Sequence, residues 1–177
     1  MNKQELGRAI KAAAYLEGDF VLRSGKRSKY YLDKYRFETI PAVLKEVGRY
    51  LAGYATESTT RIAGAELGGV ALAAAASMSS GLPFVIIRNQ KKGYGTGKLF
   101  EGVIEKGETV LLVEDIATTG GQVIEAAKVI TDQGARVEKI VAVLDRQEGA
   151  RENIEGAGYT FEALFTSADL GIGVPTT

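Results

Sequence analysis

Apolar and polar positions alternate along most of the chain in two different periods. Short apolar runs predict strands at Arg61–Ala63, Phe84–Ile87, Val110–Val113, Ile140–Leu144 and Tyr159–Leu164. Apolar residues that recur every three or four positions predict helices at Lys3–Leu16, after Thr39, at Val70–Met78, after Gly121 and at Arg151–Ala157. Strands that alternate with helices of about ten residues are typical of an α/β fold, with a central parallel sheet flanked by helices.

The N-terminal part of the chain does not follow this alternation. Phe20–Leu22 and Tyr30–Leu32 predict two short strands joined by a charged turn. About residues 1–36 are therefore expected to form a small hood, or flap, over the sheet edge of a single domain that spans residues 1–177. Thr39 is expected to cap the following helix, which has Pro41 in its first turn.

Composition excludes several classes of function. The chain has 22 basic and 22 acidic residues, so its net charge does not indicate nucleic acid or an anionic membrane as a partner. It has no cysteine, which rules out disulfides and thiolate chemistry, and no histidine, so a general base would have to be another residue. The longest apolar stretch, Val70–Ala76, is too short to cross a bilayer, and an intracellular, cytoplasmic chain is expected.

The stretch Thr109–Gly121 carries the strongest functional signal. An apolar run leads into Glu114 and Asp115, then into small and hydroxyl residues, Ala117–Gly121, before helical periodicity begins. Free amides, glycines and threonine hydroxyls at the start of a helix suit a phosphate, while paired carboxylates accept hydrogen bonds from sugar hydroxyls. This pattern predicts a phosphosugar site. The alternative is an ordinary turn whose acids are solvated. Two acids at the end of an apolar strand would be a poor choice for such a turn.

A second stretch, residues 88–102, is polar and rich in glycine. Its cations are Arg88, Lys91, Lys92 and Lys98. Cations between glycine hinges suit a mobile lid that closes over a polyanion, and the alternative is a solvated loop with incidental charge. The stretch is not a Walker A loop, because Leu99 replaces the required Ser or Thr, nor a dinucleotide fingerprint, because Lys98 replaces the third glycine.

Three other segments could complete such a site. Cations precede Tyr30 and Tyr31, whose rings could stack on a flat anionic ligand, although core tyrosines beside a charged turn explain this segment too. Arg146 follows a strand, where its planar fork could bind a carboxylate or form a surface ion pair. Gly64–Val70 is another strand-to-helix loop that could bind a second phosphate or be a plain turn.

These segments resemble a known enzyme family. Thr109–Gly121 resembles the signature that type I phosphoribosyltransferases use for 5-phosphoribosyl 1-pyrophosphate (PRPP). Phe20-x-Leu22-x-Ser24-Gly25 with Ser28-x-Tyr30-Tyr31, and Asp145-Arg146-Gln147-Glu148, resemble segments of the orotate phosphoribosyltransferases. The resemblance implies the type I phosphoribosyltransferase fold. It also implies conversion of orotate and PRPP to orotidine 5′-monophosphate and pyrophosphate, in de novo pyrimidine biosynthesis.

The resemblance also implies roles for individual residues. PRPP would bind to Arg88, Lys92, Tyr94, Glu114, Asp115, Ile116, Ala117, Thr118, Thr119, Gly120, Gly121 and Gln122. Orotate would bind to Thr118, Arg146, Tyr30 and Tyr31. The catalytic residues would be Lys92, Arg88 and Asp115. The implied cofactor is Mg²⁺, held mainly by pyrophosphate and water and not by protein ligands.

The implied assembly is a homodimer in which part of the lid is donated by the partner subunit. Two positions depart from the better-known bacterial pattern: Asn89 stands where a basic residue is usual, and Tyr94 stands where a histidine is usual. Two alternatives stay open on the sequence. One is a PRPP-sensing regulator that binds nucleic acid, and the other is a phosphoribosyltransferase for another nucleobase.

Overall fold

The N-terminal part of the chain forms a helix and a hairpin. The computed structural model describes residues 1–21, 25, 27–90 and 98–172. Helix α1 (Lys3–Ala14) leads into strands β1 (Tyr15–Val21) and β2 (Arg27–Leu32), which pair antiparallel as a separate two-stranded sheet. The predicted helix extended to Leu16, but α1 ends at Ala14 because the next residues, Tyr15 and Leu16, pair with β2.

Two helices connect the hairpin to the main sheet. They are α2 (Lys34–Glu38) and α3 (Pro41–Ala52). The prediction that Thr39 caps α3 was wrong, because its hydroxyl donates to the carbonyl of Tyr35 at 2.8 Å and so closes the end of α2. The N-cap of α3 is Ile40, which makes no side-chain cap, and Pro41 occupies the first turn as predicted.

The main sheet has six strands in the described part of the chain. In chain order its elements are β3 (Arg61–Ala65), α4 (Gly68–Ser80), β4 (Phe84–Ile87), β5 (Phe100–Glu101), β6 (Thr109–Ala117), α5 (Gly121–Asp132), β7 (Arg136–Asp145), α6 (Ala150–Gly156) and β8 (Phe161–Thr166). The spatial order is β5-β4-β3-β6-β7-β8. All neighbours are parallel except the edge strand β5, which pairs antiparallel with β4. The α/β prediction is confirmed, and the sheet is mixed because of β5.

Both faces of the sheet are buried, which explains why its strands are nearly continuous apolar runs. One face carries Leu111 and Val113 and packs with α1 to α4. The other carries Val110 and Leu112 and packs with α5 and α6. No helix among the described residues combines the length and the apolar character that spanning a bilayer requires.

Candidate active site at the carboxyl edge of the sheet

The parallel strands β3, β4, β6 and β7 end at the same edge of the sheet, and the loops that follow them meet there. The amide of Glu66 after β3 donates to the carbonyl of Ile87 at the end of β4, at 2.8 Å. The amide of Arg146 after β7 donates to the carbonyl of Ala117 at the end of β6, at 2.9 Å. Crevices beyond the carboxyl ends of strands are the usual ligand sites of such sheets.

The loop between β6 and α5 has the form of an anion site. Gly120 adopts a φ of +77°, and a Cβ there would lie 2.7 Å from Cγ1 of Ile154, so both conformation and packing require glycine. No side chain of the described residues caps α5. Its first amides, starting near Gly121, are therefore available to an anion. Thr119 is exposed beside them, and its carbonyl accepts from Asn153 at 2.9 Å.

The two acids lie inside β6 and not in the loop after it. The sequence placed the end of this strand at Val113, but β6 continues to Ala117 and stays paired with β7, opposite Asp145. Glu114 is 8% exposed and Asp115 1% exposed. Burial first, and then the neighbouring charge of Asp115, raise the pKa of Glu114 well above its ordinary value. Glu114 therefore resists ionisation, and the neighbouring Asp115 forms an ion pair with a cation.

That cation is Lys34, which sequence reasoning missed. Its Nζ lies 2.6 Å from Oδ2 of Asp115, and the amide of Ile116 donates to Oδ1 of the same carboxylate. Lys34 opens α2 in the N-terminal part of the chain, within the charged segment 33–36. No period or spacing in that segment distinguished Lys34 from its neighbours, so only the tertiary structure could identify this contact.

The strand-to-helix loop after β3 packs directly against Asp115. A Cβ at Gly68 would lie 1.5 Å from Oδ2 of Asp115, and a Cβ at Gly64 would lie 2.0 Å from the carbonyl oxygen of Gly69. Glycine is thus required for the loop to approach the acid so closely. The loop after β3 and the start of α5, which the sequence indicated as phosphate sites, are also neighbours, because Nε2 of Gln122 donates to the carbonyl of Glu66 at 3.3 Å.

Arg88 lies where the predicted lid begins. Its amide donates to the carbonyl of Leu99 at 2.8 Å. Its guanidinium is 3.5 Å from Glu101 and 4.0 Å from Glu66. The last residues of the predicted lid, Phe100–Glu101, form β5 and so belong to the sheet. Lys92 and Tyr94 lie outside the described residues.

Asn89 joins the start of the predicted lid to the loop after β3 and to α5 through hydrogen bonds. Its amide donates to Oε1 of Glu66 at 2.8 Å, and its side-chain nitrogen donates to the Glu66 carbonyl at 3.0 Å. Its side-chain oxygen accepts from Nε2 of Gln122 at 2.9 Å. Gln122, predicted as a PRPP residue, therefore faces Asn89. A cleft of about 590 Å³ adjoins this network and is lined in part by Arg88 and Leu99.

The base end of the predicted site brings together Arg146 and Tyr30 but not Tyr31. Arg146 donates to the Tyr30 hydroxyl at 3.4 Å and forms an ion pair with Glu148 at 2.8 Å. Successive residues of a strand point to opposite faces, and Tyr31 packs on Phe20 and is 45% exposed. Tyr30 instead stacks on Tyr15, with ring centroids 5.5 Å apart. Thr118 is half-buried at the end of β6, in the loop before α5.

Metal binding by protein side chains alone is not supported in the described part of the chain. No group of three or more acidic side chains lies there in an arrangement that could hold a metal ion.

Comparison with known proteins agrees with this geometry. The model of the phosphoribosyl transferase domain matches residues 35–168. The orotate phosphoribosyltransferase of Methanocella arvoryzae is 46% identical over 153 residues, which cover 86% of this chain and 87% of that protein. The crystal structure of the Mycobacterium tuberculosis orotate phosphoribosyltransferase superposes with a TM-score of 0.85 at 29% identity, covering 96% of this chain and 99% of that one. A structure of the same mycobacterial enzyme in complex with PRPP has a TM-score of 0.78 at 28% identity, covering 96% and 99% of the two chains.

Proposed function

The chain belongs to the phosphoribosyltransferase family and, within it, to the orotate phosphoribosyltransferases, and we propose how its residues carry out the transfer. The enzyme transfers the phosphoribosyl group of PRPP to orotate, giving orotidine 5′-monophosphate and pyrophosphate. The observation that supports our assignment of residues is that the glycine-dependent loop after β3 packs on the Asp115 carboxylate, in the strand that leads into the anion loop at the carboxyl edge of the sheet.

The 5′-phosphate of PRPP binds to the loop between β6 and α5. The amides of Thr118–Gly121 and Gln122 surround the anion, together with the hydroxyls of Thr118 and Thr119. Ala117 and Ile116 place this loop, because they continue β6 up to its start. Uncapped amides at a helix N-terminus favour a dianionic phosphate through their partial positive charge.

The ribose hydroxyls bind to Glu114 and Asp115. Asp115 pairs with Lys34 and can accept hydrogen bonds, whereas burial raises the pKa of Glu114, and a protonated Glu114 can both donate and accept. The pair can therefore hold two neighbouring hydroxyls without placing two full negative charges next to each other in a buried position. This arrangement fixes the ribose while its C1 reacts.

Orotate binds between Tyr30 and Arg146, with its carboxylate on the guanidinium. Arg146 has Glu148 as its present partner, and an orotate carboxylate would take the place of that exposed side chain. Tyr30, held by Tyr15, offers its ring edge and hydroxyl at the same point. Thr118, the first residue of the phosphate loop, follows Ala117, whose carbonyl accepts from the amide of Arg146.

The chemical step is a displacement at C1 of the ribose. A ring nitrogen of orotate loses its weakly acidic proton to water or to the departing pyrophosphate and supplies the electron pair of the new C–N bond, and the C1–O bond to pyrophosphate breaks. No strong protein base is needed, which suits a chain without histidine and cysteine. Arg88 and Lys92 stabilise the charge that collects on pyrophosphate, and Tyr94 donates a hydrogen bond, so positioning and fixed charge supply the catalysis.

When bound, Mg²⁺ would be held mainly by pyrophosphate oxygens and water, and it would supply positive charge next to the leaving pyrophosphate. We further propose a cytoplasmic homodimer in which part of the lid, residues 88–102, is donated to the partner subunit's site. Mixing a Lys92→Ala variant with an Asp115→Ala variant tests the assembly. Shared sites would restore about a quarter of wild-type activity in the mixture, whereas separate sites would restore none.

Loss of orotate ultraviolet absorbance in the presence of PRPP and Mg²⁺ tests the activity itself. We expect turnover that requires all three components and yields one pyrophosphate for each orotate consumed. Turnover with adenine, hypoxanthine or uracil and none with orotate would overturn the assignment of the substrate.

A further inference from the structure

Lys34 links the hairpin that carries Tyr30 to the acid that faces the ribose. It is the first residue of α2, directly after β2, and its Nζ lies 2.6 Å from Oδ2 of Asp115. The Asp115 side chain is 1% exposed and that of Lys34 is 32% exposed. A cation from one end of the site thus reaches a buried carboxylate at the other.

The surroundings of Asp115 explain why this cation matters. On the side of Gly68 there is no room even for a Cβ, and Oδ1 already accepts the amide of Ile116. A buried carboxylate that loses its cation either takes up a proton or moves toward water. Either change removes the ionised, fixed acceptor that a ribose hydroxyl requires.

Glu38 lies one turn after Lys34 on the same helix and faces the same pair. It is 4% exposed, and its Oε1 has no hydrogen-bond partner among the described residues. Burial first, and then the charge of Asp115, raise the pKa of Glu38 to about 8, with Asp33 adding to the effect and Lys34 opposing it. Lys34 keeps its proton at this pH, because Asp115 and then Glu114 outweigh the effect of its burial and raise its pKa. The helices α1, α3 and α4 also pack on α2. Helix α4 carries no charged side chain, and the charged residues of α1 and α3 are exposed (Lys3, Glu5, Arg8 and Lys45) or bonded elsewhere (Lys11 to the carbonyl of Gly171, and Glu46 to Arg49).

We propose that Lys34 is a positioning residue of the transferase, which holds the carboxylate of Asp115 in place for the ribose of PRPP as long as the neighbouring Glu38 is neutral. The proposal rests on the assignment of Asp115 to the ribose. Lys34 forms an ion pair with Asp115, and its charge also acts on Glu38, so an ionised Glu38 competes with Asp115 for the ammonium. Ionisation of Glu38, or loss of the Lys34 ammonium, should therefore weaken the binding of PRPP and have little effect on the binding of orotate.

The first test compares Lys34→Met and Lys34→Arg with the wild type in steady-state kinetics. Loss of one charge-assisted contact predicts a rise of about tenfold or more in KM for PRPP in Lys34→Met, with kcat and the KM for orotate changed by less than about threefold. Lys34→Arg should recover most of the affinity for PRPP. Lys128→Met is the matched control, because Lys128 also forms an ion pair at 2.6 Å, with Glu125 on the exposed face of α5. An unchanged KM for PRPP in Lys34→Met, in an enzyme that is active with orotate, would overturn the proposal.

The second test uses Glu38→Gln, which keeps the shape of the neutral acid and serves even where Lys34→Met fails to fold. Between pH 7 and pH 9 the KM for PRPP of the wild type should rise as Glu38 ionises. In Glu38→Gln this rise should be absent, and the comparison at equal pH cancels any titration of the substrates. Identical profiles in the two proteins would overturn the role of Glu38. Failure of the wild type to use orotate would instead count against the function itself.

Discussion

Arg146 donates a hydrogen bond from Nη2 to the Tyr30 hydroxyl at 3.4 Å and so joins the N-terminal hairpin to the end of β7. Orotate should bind at this junction, since a planar guanidinium matches its carboxylate. We expect Arg146→Ala to raise the KM for orotate by about tenfold to a hundredfold, the usual range for a hydrogen bond to a charged group, while the Kd for PRPP stays nearly unchanged. Equal losses for both substrates would contradict the carboxylate assignment. Tyr30→Phe should show a smaller loss than Arg146→Ala, and Tyr31→Phe is the paired control on the opposite face of β2.

Lys92 should act in the transition state more than in substrate binding. By analogy with single oxyanion donors, removing one contact to the leaving group costs on the order of 3 kcal/mol. We therefore expect Lys92→Ala to lower kcat by about a hundredfold, with the thermal midpoint unchanged within about 1 °C. Stopped-assay turnover and calorimetry measure the two quantities. Wild-type turnover in this variant would remove the lid from the mechanism.

Gly68 offers a test of how closely the loop after β3 approaches Asp115. Its Cβ in a Gly68→Ala variant would overlap Oδ2 of Asp115, so we expect lost PRPP binding and a lower thermal midpoint. A Cβ at Gly121 meets nothing within 4 Å in the structure. Gly121→Ala should therefore keep its thermal midpoint and lose affinity for PRPP only if a phosphate lies there. Gly156→Ala, also unobstructed and outside the site, is the control for both.

Asn89 is a neutral residue at the start of the lid, and it connects the lid to the rest of the site by hydrogen bonds. Its hydrogen bonds to Glu66 and from Gln122 should keep the lid base, the loop after β3 and α5 in register. We expect Asn89→Ala to raise the KM for PRPP several-fold. Asn89→Asp should be more damaging, because it places a second carboxylate beside Glu66. If Asn89→Ala and Asn89→Asp were both indistinguishable from the wild type in KM for PRPP, the network would have no part in binding.

Glu138 lies near the start of β7, at the end of the sheet opposite the site. We expect it to make the free energy of unfolding depend on pH. Burial by itself raises its pKa, but hydroxyl donors from Thr59, Thr56 and Ser58 outweigh burial, so the pKa in the folded state is lower than usual. A lowered pKa means that the stabilisation is fully present above the ordinary glutamate pKa of about 4.3 and is lost as pH falls below it.

We expect Glu138→Gln to lower the free energy of unfolding by about 1 kcal/mol at pH 7 and to unfold with a shallower pH dependence below pH 4.5 than the wild type. Chemical denaturation across this range measures both effects. Glu125→Gln, on the exposed face of α5, serves as the control. Parallel pH curves for Glu138→Gln and the wild type would refute the assignment.

The periods of apolar residues determined most of the fold. Buried parallel strands such as Val110–Val113 must be apolar on both faces, and covering helices must show one apolar stripe, so each element leaves a mark in its own sequence. The predicted boundaries were wrong where a segment forms hydrogen bonds that its own sequence pattern does not indicate. Tyr15 left α1 to pair with β2, Thr39 closed α2 instead of opening α3, and Phe100–Glu101 joined the sheet edge.

The candidate site, too, was only partly predictable from the sequence. The order of residues alone indicated the phosphate loop, the paired acids and Arg146, because each lies at the end of a strand and parallel strands end at one edge. Only the tertiary structure identified Lys34 beside Asp115, Asn89 between Glu66 and Gln122, and Tyr30 rather than Tyr31 beside Arg146. These contacts join residues far apart in the chain, and charged or polar side chains in loops follow no period that reveals which partner packing will bring to them.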